Sequence, residues 1–69
     1  MKTVVAFIDK KANVLAQFED AVVPRTGEIL SINGIDPDGS YREVTKVSYR
    51  YGDQLIVAGI CVTDSIFDK

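Results

Sequence analysis

Sixty-nine residues, 46% of them apolar, with a formal net charge of −2, describe one small acidic domain spanning residues 1–69. Cys61 is the single cysteine and histidine is absent, so an internal disulfide and the usual zinc ligand sets are excluded. The charge gives no global field toward nucleic acid or acidic membranes. A chain this short buries only about 60% of the surface its unfolded form exposes, and a partner chain commonly makes up the deficit.

The chain opens with "MKTVVAFIDKK", where Thr3–Ile8 reads as a first strand. Its apolar run Val4–Ile8 is shorter than the roughly 7–15 residues of a signal-peptide core. Nothing in the sequence approaches the about 18 apolar residues of a membrane span, so the expectation is a cytoplasmic protein without membrane contact. Asp9–Asn13 turns the chain into a second strand, Val14–Glu19. Ala12, Leu15 and Ala16 also fall at helical spacing, which makes a helix over Lys11–Ala21 the alternative there. A connection through Asp20–Thr26 contains Pro24 and leads to a third strand, Glu28–Ile32. The fourth strand is Tyr41–Tyr51, and Gly52-Asp53 turns it into the fifth, Gln54–Thr63. Short runs of Val, Ile, Thr, Tyr and Phe between Gly, Asp, Asn and Pro are an all-β pattern.

Two features point to a curved sheet. Val44 and Val47 are three residues apart, so strict alternation cannot bury both, and a β-bulge near Thr45–Lys46 is expected. Gly59, inside "LIVAGICV", marks a bend or a close backbone approach. The stretch from "VPRTGEILSI" through "YREVTKV" to "QLIVAGICV" resembles the second half of small SH3-like barrels, with Pro24, Gly27, Glu28, Tyr41, Val44 and Val47 carrying the likeness. That resemblance covers about 40 residues and implies a small five-stranded SH3-like barrel or a strongly bent antiparallel sheet. It implies no activity, because folds of this kind serve many functions.

The chemistry-bearing motifs are few. Asp36-Pro37-Asp38-Gly39 has the composition of a calcium loop, but aligned on an EF-hand it puts Gly34 at the first ligand position and Thr45 at the last. Proline, aspartate and glycine in that order suit a turn instead. Cys61 sits in an apolar strand with no histidine to serve as its base, so a buried, inert thiol is expected. The carboxylates Glu19, Asp20 and Glu28 match no acid–base spacing and read as surface groups. No catalytic residue, metal site or cofactor is therefore assigned.

Two binding surfaces remain. The fourth strand carries Arg42, Lys46 and Arg50 on one face and Tyr49 and Tyr51 on the other, a set that could hold single-stranded nucleic acid. Three cations on an acidic chain favour a solvated face over that reading. The first and fifth strands are apolar on both faces, which means both faces are covered. Either Ser65–Phe67 folds over the outer face, or a second chain does, with Val57, Ile60, Val62 and Val5 as candidate interface residues. The expectation is a non-catalytic interaction module that self-associates and meets a protein partner. A nucleic-acid module is the alternative, followed by an enzyme whose site forms only in an oligomer, as in plasmid-borne dihydrofolate reductases of SH3-like fold.

Overall fold

The computed structural model describes residues 2–36 and 39–67. Among these there is no helix: the chain forms β1 (Lys2–Ile8), β2 (Val14–Glu19), β3 (Ile29–Leu30), β4 (Ser40–Tyr51), β5 (Leu55–Val62) and β6 (Ile66–Phe67). Five strands make one strongly curled sheet, a half-barrel, in the order β2-β1-β5-β4-β3. The segment with the helical alternative is the extended strand β2.

The sheet is mixed. Neighbouring strands pair antiparallel except β1 and β5, which run parallel with Val5 opposite Ala58 and Phe7 opposite Ile60. That pairing places "VVAFI" and "LIVAGICV" at the centre of the sheet, flanked on both edges; most of their inner-face residues are buried, and Val4, Ile8, Val57 and Cys61 on the outer face are half-buried. The inner, concave face carries Val5, Phe7, Val44, Ala58, Ile60 and Val62, all buried. The β2–β3 connection packs Ala21 and Val23 onto the core, and Ile32, just after β3, is buried in that core. Its turn is fixed locally: Gly27 has φ +93°, and the Glu28 carboxylate accepts the Arg25 N–H at 2.6 Å.

The irregularities lie where the pattern demands them. Register shifts between Val44 and Lys46, leaving Thr45 as the bulge that re-phases β4 and lets Val47 face the core. Thr45 Oγ1 then donates to the Cys61 carbonyl at 3.2 Å. At Gly59 a Cβ would stand 3.0 Å from Ser48 Oγ and 3.4 Å from Ile8 Cδ1, so the missing side chain admits two neighbours. A second bulge, at Leu15 in β2, lies opposite Phe7 and Ile8. Asp9 organises the β1–β2 turn by accepting the Lys11 and Asn13 N–H groups at 2.9 Å each. The described chain beyond Thr63, as far as Phe67, does not cross the outer face of β5. It lies in the sheet, where the backbone of Ile66–Phe67 pairs with Ser40–Tyr41.

Candidate functional site

The Asp36–Gly39 stretch divides into a turn and an anchor. Gly39 takes φ +83°, as a turn glycine does, while Pro37 and Asp38 lie outside the described residues. Asp36 turns inward. Its carboxylate is 1% exposed and receives Arg42 Nε at 3.0 and 3.1 Å and Arg42 Nη2 at 2.9 Å, a two-pronged ion pair. The Ile32 N–H donates to the same carboxylate at 3.0 Å, and Arg42 Nη1 donates to the Thr63 carbonyl at 3.0 Å. Burial alone would raise the Asp36 pKa. The Arg42 hydrogen bonds, the Ile32 N–H and the Arg42 charge outweigh it and hold the carboxyl below its usual value. Ser65 Oγ is buried beside this pair, adding weakly to the pull on Asp36 but making no hydrogen bond of ordinary geometry. The cluster ties the 32–36 loop, β4 and the chain after β5 into one unit. It is structural, and no group of three or more potential metal ligands occurs among the described residues.

This geometry breaks up the basic strand face. Arg42 is buried in its ion pair and cannot meet a phosphate. The Thr45 bulge separates it from Lys46 and Arg50, which stand exposed on the convex face opposite Cys61 and Val57. Tyr49 and Tyr51 lie on the concave side at its open end, 52% and 73% exposed, with near-parallel rings 6.4 Å apart. Cations and aromatic rings therefore face opposite ways. A groove of about 310 Å³ runs beside Tyr49, lined also by Val23, Pro24, Arg25, Thr26 and Val47.

The expected oligomer interface needs correction. Val5 and Ile60 are 0% exposed and Val62 2%, all inside the core of one chain, so none can meet another. Of the four residues, Val57 alone points outward, half-buried in a row with Val4, Ile8 and Cys61. The error is one of register: the outer residues of β5 are the odd-numbered ones. Cys61, expected to be buried, is half-exposed on that face and lines a cleft of about 540 Å³ with Ile8, Thr45 and Thr63. The Lys10–Asp64 ion pair closes at 2.9 Å at its rim.

The feature that sequence reading missed is the free edge of β2. The Asp20 N–H donates to the Thr3 carbonyl at 2.8 Å, which fixes the alternation along the β1–β2 ladder. Ala16 and Phe18 aim their backbone groups at β1, as does the N–H of Asp20, whose φ of +57° ends the strand, and Gln17 and Glu19 aim theirs away from the sheet. No described strand lies on that side. The opposite end of the sheet is held by two-residue strands, β3 and β6, whereas β2 is six residues long. Natural sheets shield such edges with lysine, proline or shortness. Here the strand reads "VLAQFE", and its one charge, Glu19, is met by Lys2 at 3.0 Å. Val14 and Phe18 are 54% and 41% exposed along it. Alternation and the absence of lysine or proline from Val14–Glu19 were the available signals, but edge position is a property of topology.

Compared with protein-family models, curated proteins and solved structures, the chain matches none of them.

Proposed function

We propose that this protein is a non-catalytic interaction module that acts through protein–protein contacts, the first of them with copies of itself. The observation that carries this reading is the open β2 edge, whose outward N–H and C=O groups at Gln17 and Glu19 are a template for another strand. The convex faces of β1 and β5 serve this purpose less well, because two convex surfaces touch over a narrow strip and Arg50 and Lys46 border it. The mouth formed by Tyr49, Tyr51 and the adjoining groove remains free to meet a different protein. Within this reading the β3–β4–β5 meander is the SH3-like part of the molecule, and β1 and β2 are its extension.

The test is the mass in solution. Light scattering at micromolar concentration should give a multiple of 7.6 kDa. Gln17→Pro removes one outward N–H without touching the core and should return the protein to a monomer. A wild-type chain that stays monomeric at every accessible concentration would refute the self-association reading.

A further inference from the structure

We infer that two copies join β2 to β2 in antiparallel register about a two-fold axis at Phe18, forming one continuous sheet of two half-barrels. This rests on the self-association reading and specifies its partner and geometry. In that register Gln17 of each copy stands opposite Glu19 of the other, and the outward backbone groups of both residues form a closed set of hydrogen bonds. The pairing is complementary in hydrogen-bonding groups, a neutral amide opposite a carboxylate. The Gln17 amide donates to a carboxylate already neutralised by Lys2 at 3.0 Å, so no bare anion is left at the seam.

Other registers do worse. An axis at Glu19 sets two carboxylates face to face, which is unfavourable in a cross-strand pair. An axis at Gln17 brings Leu15 opposite Glu19, and Leu15 is the bulge residue where the regular ladder ends. The axis at Phe18 forms its hydrogen bonds within the regular stretch Ala16–Glu19, between the Leu15 bulge and Asp20, where φ turns to +57°.

The inner face supports the same axis. Tyr49, Ala58, Val5 and Phe18 lie in one row across β4, β5, β1 and β2. Phe18 already packs edge-on against Phe7 with centroids 5.9 Å apart, while 41% of the residue remains exposed at the end of the row. A second Phe18 covers that exposed part, and the row continues into the partner without a step. The two tyrosine mouths then open on one shared concave surface.

Disulfide trapping reads the register. In a Cys61→Ser background, a chain carrying Gln17→Cys is mixed with one carrying Glu19→Cys and oxidised. Directly opposed, hydrogen-bonded residues have Cα atoms about 5.5 Å apart, within disulfide reach. The mixture should give a covalent dimer, and each variant alone should not, because equivalent positions are then offset by two residues. Crosslinking by Gln17→Cys or Glu19→Cys alone would place the axis elsewhere and overturn the proposal. A dimer by scattering that no such mixture traps would overturn this register and leave self-association standing. A monomer in both measurements would remove both.

Discussion

Asp36→Ala should be the most damaging single substitution outside the apolar core. It leaves the Arg42 guanidinium, in a side chain 10% exposed, without its counter-charge, and it strips the Ile32 N–H of its acceptor. Breaking one side of a buried ion pair costs about 3–5 kcal/mol. A chain of 69 residues has a total of roughly 3–10 kcal/mol at its disposal. The variant should therefore lose at least about 30% of its stability, and should unfold outright in the less stable part of that range. Urea unfolding followed by circular dichroism measures this, the slope being about 1 kcal/mol per molar for so small a domain. Replacing both partners, Asp36→Leu with Arg42→Met, should cost less than Asp36→Ala alone, because no unpaired charge stays buried. Acid dependence gives an independent sign. The folded Asp36 pKa lies below its unfolded value, so the folded state binds fewer protons, and this contribution is complete above the unfolded value near about pH 4. It should be lost as pH falls through the folded value, and Asp36→Asn should flatten that part of the curve. A cost for Asp36→Ala below about 1 kcal/mol, the level of an exposed pair, would refute the account of this cluster.

Three further outcomes follow from the geometry. Ala12 sits in the β1–β2 turn at φ +68°, a region that costs an L-residue about 1–2 kcal/mol, so Ala12→Gly should raise stability in the same urea assay, less the entropy glycine adds to the unfolded chain. Ile60→Lys should unfold the chain, whereas Val57→Lys, on the convex face, should leave both fold and solution mass unchanged, as circular dichroism and light scattering will show. With Arg42 buried, Lys46 and Arg50 are the basic strand residues left to meet a phosphate; replacing both with glutamine should not change oligonucleotide binding. Tight, salt-dependent binding that this double variant loses would instead favour the nucleic-acid reading.

Much of the architecture was legible because it rests on local pattern. Val44 and Val47 demanded a bulge, and Thr45 supplies it; Gly59 signalled close approach, and Ser48 and Ile8 stand where its Cβ would be. The apolar runs of β1 and β5 were read as covered on both sides, the outer one by Ser65–Phe67 or by a second chain; the inner side is covered by the core of the chain itself. Parallel pairing between strands that are distant in sequence covers their edges, while Val4, Ile8, Val57 and Cys61 on the outer face stay half-buried, and local pattern does not encode which strands meet. The same gap misassigned Val5, Ile60 and Val62, whose inward phase depends on register with neighbours. Arg42 looked like surface because cations usually are; its counter-ion, six residues away across a turn, was read as part of the turn itself.

Amide hydrogen exchange at β2 tests the central claim most directly. Ala16, Phe18 and Asp20 direct their N–H groups at β1 and should be protected at every concentration. The Gln17 and Glu19 N–H groups point out of the sheet and acquire partners through a second chain. Their protection should appear at concentrations where the protein is associated and vanish on dilution to the monomer. Free exchange at both positions in a sample that is associated by mass would show that the chains meet somewhere other than this edge.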